Sequence, residues 1–392
     1  MRDCPICGAN EKQVLERRHG VPVFLNRLES SKEEAVAAKL GDLDMVRCQI
    51  CGFVWNLAFD PNKIVYDAKY ENDQTHSTAF NSHLLEMADR ALAAVGKGPV
   101  DLLEIGCGQG VFMKAVASRG GNKLRSATGF DPAFRNEELL NDCRMKVFKQ
   151  YFDDASLTLL EHTPNLVVSR HTIEHISNPI GFLSAVRTSL GGVNAIVFIE
   201  TPDVEWIVSR GEIQDFFYEH CSLFTADSLI LALEKAYFSD VSVDRVFNGQ
   251  YLWARAELDV RRSNDRPRMT RESFSAPDFA KGRQSFIGSW QRRVESARGK
   301  VAVWGAGAKG VTFCWLVDRQ AKSIAAVVDI NPGKQDRYLP VTGHRVIAPT
   351  KLQDYGIGTI IVMNPNYRDE ITAELLIRGQ EIDILVLEGE RL

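Results

Sequence analysis

The reading starts from Leu102-Leu103-Glu104-Ile105-Gly106-Cys107-Gly108-Gln109-Gly110. An apolar strand is expected to end at Glu104, and a helix to begin near Val111. Between them glycine stands at every second position, as a chain requires where it turns sharply and lets a ligand approach its backbone. The spacing E-x-G-x-G-x-G departs from the G-x-G-x-x-G of dinucleotide-binding loops. The next apolar stretch, residues 126–130, leads into Asp131, 21 residues beyond Gly110. A carboxylate so placed can accept hydrogen bonds from ribose hydroxyls.

Outward from this loop, residues 101–253 alternate strand-like and helix-like pieces, with strands expected at 101–105, 126–130, 166–169 and 195–200. Such alternation implies an α/β doubly wound sheet with helices on both faces. Near its end VSVDRVFNGQYLWARAEL reads as a hairpin turning at Asn248-Gly249. The loop resembles motif I of S-adenosylmethionine-dependent methyltransferases, and the terminal hairpin suits their class I fold. That resemblance implies S-adenosylmethionine as cofactor, bound by Glu104, Gly106, Gly108, Gly110 and Asp131, with Phe152 at the adenine. His171, in the loop after the fourth strand, would edge the same cleft. Residues 171–175 spell H-x-x-E-H, but the motif follows a buried strand instead of lying on a helix, so a zinc protease is not expected.

A chain of 392 residues is too long for one core, so several domains are expected. The net charge of −4 gives no basic surplus, which argues against nucleic acid as a partner. No apolar run is long enough to span a membrane, and MRDCPICGANEK has no signal-like apolar region, so a cytoplasmic location is expected. Of eight cysteines, four form two CxxC pairs, Cys4/Cys7 and Cys48/Cys51, each followed by glycine. Paired knuckles of this kind fit one tetrahedral Zn2+, and four thiolates leave no open position, so the metal is read as structural.

Residues 215–225, DFFYEHCSLFT, place Glu219 and His220 among aromatic side chains. A histidine in an apolar setting stays neutral and can act as a general base. The double CxxC head, Tyr66-Asp67-x-x-Tyr70, the glycine loop and Glu219-His220 together resemble the sugar C-methyltransferases that act on nucleotide-linked deoxysugars. So do Gly305-Ala306-Gly307-Ala308-Lys309-Gly310 and the stretch from Asp329 to Gln335. The resemblance implies methylation at C3 of a 4-keto-6-deoxy sugar nucleotide through an enolate. His220 would be the base, Glu219 its orienting partner and Tyr70 a donor or positioning group, with Tyr66 and Tyr218 at the substrate. Phe217 departs from the tyrosine common three positions before the histidine.

By spacing alone, the second glycine loop with Asp329 ending the next strand is a dinucleotide fingerprint, which would mean NAD. The resemblance implies instead a Rossmann-like unit that holds the nucleotide-sugar through Gly305, Gly307, Lys309 and Lys334. The expected organisation is a zinc-binding head and arm (1–75), a methyltransferase core (76–258), a linker with a connecting helix over about 285–298 (259–298) and the C-terminal unit (299–392). The Arg-rich residues 259–284 read as a solvated linker or a phosphate-contacting loop. The chain is expected to work as a monomer or homodimer. An O- or N-methyltransferase of another small metabolite, an NAD-linked bifunctional enzyme and a zinc-containing cofactor sensor are the competing readings.

Overall fold

A computed structural model describes residues 3–66, 69–258 and 279–387. The N-terminal part contributes β1 (Lys12–Pro22), α1 (Lys32–Val36), β2 (Leu40–Cys48) and β3 (Val54–Asn56). The expected helix or flap in SSKEEAVAAKL is the five-residue α1, whose N-cap Ser31 accepts from the Glu34 N–H. Then come α2 (Thr78–Val95), β4 (Val100–Ile105), α3 (Val111–Gly120), β5 (Leu124–Phe130), β6 (Met145–Phe148), β7 (Leu166–Arg170), α4 (Pro179–Ser189) and β8 (Ala195–Pro202). They are followed by α5 (Val204–Ser209), β9 (Ser222–Leu223), α6 (Ala226–Lys235), β10 (Ser239–Val246) and β11 (Tyr251–Leu258). The last part holds α7 (Phe279–Glu295), β12 (Lys300–Trp304), α8 (Ala308–Val317), β13 (Ile324–Val328), β14 (Val346–Ile347), β15 (Ile357–Val362), α9 (Arg368–Ile377) and β16 (Asp383–Val386).

Among the described residues three sheets result. The central one has seven strands in the order β10-β11-β8-β7-β4-β5-β6. β4 to β8 run parallel, while β11 is antiparallel to both β8 and β10. This is the class I methyltransferase sheet. Every residue of β4 and β7 is buried, as central parallel strands covered on both faces must be. The hairpin turns through Phe247, Asn248 and Gly249, all at positive φ (51°, 56° and 83°).

The C-terminal sheet is wholly parallel, in the order β14-β13-β12-β15-β16. In both sheets the order of the parallel strands reverses beside the strand that carries a glycine loop, β4 and β12, and ligands of such sheets bind at that crevice.

The N-terminal sheet is antiparallel, in the order β1-β2-β3-β9. Its fourth strand comes from residues 222–223, inside the stretch read from sequence as core, and lies two residues beyond His220. The connecting helix begins earlier than the sequence suggests, at Phe279. It seats Phe286 and Trp290 against Phe313 of α8, with ring centroids 6.3 Å and 5.4 Å apart. Residues 259–278, and with them most of the Arg-rich stretch, lie outside the described residues. Among the described residues no helix is long and apolar enough to cross a membrane.

Candidate active site

The first glycine loop opens α3 at the carboxyl end of β4. Gly106, Gly108 and Gly110 all have positive φ (74°, 53° and 74°). A Cβ at Gly106 would strike the Thr172 hydroxyl, and one at Gly110 would strike Leu139. Nothing lies within 4 Å of where a Cβ at Gly108 would stand, so that glycine faces open space. Asp131 accepts from the Gly108 N–H with Oδ2 (2.9 Å) and from the Ala133 N–H with Oδ1 (2.8 Å). Its remaining lone pairs stay available for hydroxyls. Glu104 is fully buried behind the loop, and burial pushes its carboxyl up to about 8. Its Oε2 has no hydrogen-bond partner among the described residues.

Glu104, Gly106, Gly108 and Asp131 line a cavity of about 540 Å³ together with Tyr66, Tyr70, Phe152, His171 and His175. Phe152 stands edge-on to Phe130, centroids 5.3 Å apart. The bare backbone at Gly108, the half-satisfied Asp131 carboxylate and the orphaned acid of Glu104 suit a cationic, ribose-bearing cofactor such as S-adenosylmethionine.

A second cavity, about 270 Å³, opens between the core and the C-terminal unit. Tyr70, His171 and His175 line both cavities, while Glu174, Phe217 and His220 line the second. His171 takes a left-handed backbone (φ 49°) at the end of β7, with its ring edge-on to Tyr251 (4.7 Å). Such backbone conformations are costly for non-glycine residues and concentrate at functional sites.

His220 packs against Phe217 and His175, each with ring centroids 4.9 Å away. Burial, then the neighbouring His175, pulls its imidazolium down to about 3, so the ring is neutral at ordinary pH. Glu174 is fully buried beside the histidines, and its Oγ-type partner is Thr201, whose hydroxyl donates to Oε2 (3.1 Å). Burial resists its ionisation, but hydrogen bonding to His171 and the charges of His171, His175 and His220 hold its carboxyl below the usual range.

Several residues expected from sequence sit differently. Glu219 does not orient His220. Its Oε2 accepts from the Leu25 N–H (2.9 Å), and burial pushes its carboxyl up to about 8, with Tyr70 beside it. Adjacent residues in an irregular segment point apart, so sequence proximity did not make them partners. Tyr218 is buried away from both cavities, its hydroxyl taking the Asp60 N–H (2.9 Å). The Tyr66 hydroxyl shares a proton with His175 Nδ1 (2.8 Å), and the Tyr70 hydroxyl accepts from Asn26 Nδ2 (3.4 Å).

Two constellations were not anticipated. His175 is one; its only signal was the discounted H-x-x-E-H spelling. The other is a buried ion network: Glu200 Oε1 meets His83 Nε2 at 2.5 Å, and its Oε2 meets Arg170 Nε at 2.5 Å. Glu174, His175 and His220 could place three ligand atoms within 4.8 Å of one another. His175 Nδ1 is already taken by Tyr66, which leaves its Nε2 as the nitrogen that would serve in such a set.

In the N-terminal part, Cys4 Sγ lies 3.6 Å from Cys51 Sγ and Cys7 Sγ lies 3.4 Å from Cys48 Sγ, with all four within 4.8 Å. Thiolates at 2.3 Å from a tetrahedral Zn2+ stand about 3.8 Å apart, so the cluster fits that ion.

At the second glycine loop Asp329 repeats the device of Asp131, accepting from the Ala306 N–H (2.8 Å) and the Asn331 N–H (2.9 Å). A Cβ at Gly310 would collide with the Gly305 carbonyl, so this glycine serves close packing. Gly305, Gly307, Lys309 and Lys334 all line the second cavity. Lys334 Nζ donates to the Ala306 carbonyl (3.3 Å), whereas Lys309 Nζ is ion-paired with Asp215 Oδ2 (2.8 Å).

Residues 77–243 match the family model described as a methyltransferase domain. With the glycine loop, its paired aspartate and the seven-stranded sheet, the protein is an S-adenosylmethionine-dependent methyltransferase. The kind of chain is further specified by residues 281–382, which match the model described as a C-methyltransferase C-terminal domain. Behind a four-cysteine head, the chain thus joins these two domains. No curated protein matches it. Among solved structures, a SAM-dependent methyltransferase from Aquifex aeolicus is similar at 17% identity over 51% of this chain and 100% of that one, with a TM-score of 0.35. The CurJ carbon methyltransferase shares 15% identity over 47% of this chain and 57% of that one (TM-score 0.36). The 1,6-didemethyltoxoflavin-N1-methyltransferase of Burkholderia thailandensis shares 15% over 46% and 80% (TM-score 0.35).

Proposed function

We propose that the protein is a C-methyltransferase that acts on a carbon next to a ketone, at C3 of a 4-keto-6-deoxy sugar carried on a nucleoside diphosphate. The observation that carries this reading is the junction of the two cavities. Tyr70, His171 and His175 line both, and His220 stands on the acceptor side beside a buried carboxylate. The C-terminal match, by its description, points to carbon as the methylated atom.

S-adenosylmethionine, held by Gly106, Gly108, Gly110, Asp131 and Phe152, supplies an electrophilic methyl group. Neutral His220 removes the proton α to the ketone, leaving the electron pair delocalised onto the carbonyl oxygen. The imidazolium so formed would be stabilised by the Glu174 carboxylate, whose charge already draws the His220 titration upward against burial. Tyr70, which lines both cavities and whose hydroxyl lies beside Glu219, is the candidate donor for the enolate oxygen. Attack of the enolate carbon on that methyl group would form the C–C bond as the sulfonium C–S bond breaks, with S-adenosylhomocysteine as the leaving group. The α8 N-terminus behind Gly307 and the ammonium of Lys334 suit the diphosphate. The cysteines Cys4, Cys7, Cys48 and Cys51 hold Zn2+ as a structural ion.

The test is mass spectrometry of the enzyme with a panel of 4-keto-6-deoxy sugar nucleotides in deuterated water, with and without S-adenosylmethionine. The expected result is deuterium uptake at the α-carbon without cofactor and gain of one methyl group with it. Methyl gain on oxygen or nitrogen without exchange would replace this reading by an O- or N-methyltransferase. Consumption of NADH would favour the bifunctional alternative.

A further inference from the structure

The segment that carries His220 is tied down along its whole length. Arg18 of β1 donates to the Ile213 carbonyl (2.5 Å) and the Phe216 carbonyl (3.4 Å). Asp60 holds the Tyr218 hydroxyl, and Leu25 holds the Glu219 carboxyl. The Ser222 hydroxyl donates to the Ile176 carbonyl (2.7 Å), and Leu223 pairs with Val54. These ties come from the N-terminal sheet and the core. The C-terminal unit adds Lys309, in the first turn of α8, which meets Asp215 at 2.8 Å.

This pair is poorly placed to serve a phosphate. The two side chains are only 14% and 7% exposed, and the ammonium also lies 4.9 Å over the Trp206 ring. Glu212, buried in the same segment, adds a second acidic group acting on Lys309. A phosphate would have to compete for Lys309 with the Asp215 carboxylate it already pairs with and with the charge of Glu212. Breaking one partner of a buried ion pair is strongly unfavourable. Lys334, whose main contact is a backbone carbonyl, carries no such commitment.

We propose that Lys309 is a positioning residue and not a phosphate ligand: through Asp215 it fixes the 213–221 segment, so that the C-terminal unit sets the placement of the base. The proposal rests on the reading of His220 as that base. Asp215 is five residues before His220 and two before Phe217, whose ring packs on the His220 ring. A shift at Asp215 therefore reaches the imidazole through a short, packed segment.

The test is a double-mutant cycle in the full chain with K309M, D215N and K309M/D215N, plus K309R as the conservative variant. Amide exchange over residues 213–221 needs no acceptor. It is expected to rise about tenfold in each single variant, no further in the double variant, and to return toward wild type in K309R. Affinity for inorganic pyrophosphate is expected to stay within about twofold in K309M, and on a keto-sugar acceptor kcat is expected to fall at least tenfold with KM nearly unchanged. Loss of pyrophosphate binding in K309M with wild-type exchange at 213–221, or additive exchange in the double variant, would overturn the proposal. Were wild type to bind no pyrophosphate and methylate no keto sugar, the substrate reading would fail, while the exchange cycle would still decide the role of Lys309.

Discussion

His175 stands edge-on to His220, ring centroids 4.9 Å apart and planes at 86°, while its Nδ1 is occupied by the Tyr66 hydroxyl. Two imidazoles this close in a buried site oppose each other's protonation. A histidine base must be neutral to act, so with His220 in the proposed role the acidic limb of kcat/KM reports its titration. Removing His175 withdraws one of the influences that lower it. In His175→Asn the acidic limb is expected to move to higher pH, as read from a pH–rate profile. An unmoved limb would mean that another group governs it.

His220→Asn removes the proposed base and leaves the cofactor cavity intact. Turnover is expected to fall about 10²- to 10⁴-fold. S-adenosylmethionine affinity, measured by calorimetry, is expected to hold, because His220 does not line that cavity. Activity close to wild type would end the base assignment.

Glu104 is protonated in the free enzyme up to about pH 8, raised chiefly by burial. With S-adenosylmethionine bound in the proposed place beside Glu104, its positive charge would favour the carboxylate, so binding below that pH would release a proton. Affinity for S-adenosylmethionine is therefore expected to rise between pH 6 and 8 and level off above. Glu104→Gln should flatten that rise to whatever slope the cofactor's own amine contributes. Calorimetry in buffers of different ionisation enthalpy measures the proton directly.

Glu200 is held well below the carboxylate range: burial resists ionisation, but Arg170 and His83 outweigh it. A depressed folded-state pKa means stability that is present above the unfolded value, near 4.3, and lost as pH falls below it. Glu200→Ala is expected to cost roughly 3–5 kcal/mol at pH 7, since it strands Arg170 in the core. Thermal melts from pH 3 to 7 check both the size and the slope.

The cysteine cluster joins the loop before β1 to the β2–β3 turn. Elemental analysis is expected to find about one zinc per chain, and Cys48→Ser or chelation should unfold the N-terminal sheet. Loss of near-UV dichroism with zinc release is the signal to follow. Metal-free protein with an intact sheet would show that the cluster does not need the ion.

The glycine loop, Asp131 and the strand alternation were legible because each is a local demand of backbone geometry on sequence. Gly106 and Gly110 have no room for a side chain, and Asn248-Gly249 turns because positive φ is cheap there. The four cysteines were legible because CxxC spacing encodes its own turn. The acceptor side was not. Glu219 and His220 are neighbours in sequence, yet the carboxyl serves the Leu25 N–H. His175 and the Glu200 network come together only once β7 and β8 are paired. Lys309 looked like a phosphate ligand by its place in the loop, and only the tertiary fold shows Asp215 opposite it.

Leu223 and Ser222 complete the N-terminal sheet against Val54 and Trp55. The boundary drawn at residue 75 therefore cuts across a hydrogen-bonded ladder. A shortened protein beginning at the core would keep the cofactor loop but leave β9 without its neighbour and the His220 segment without Arg18, Leu25 and Asp60. Heads could be exchanged between related enzymes only together with a matching edge at 222–223. In this chain the head and the 213–223 segment form one hydrogen-bonded unit, and modular swapping has to respect that seam.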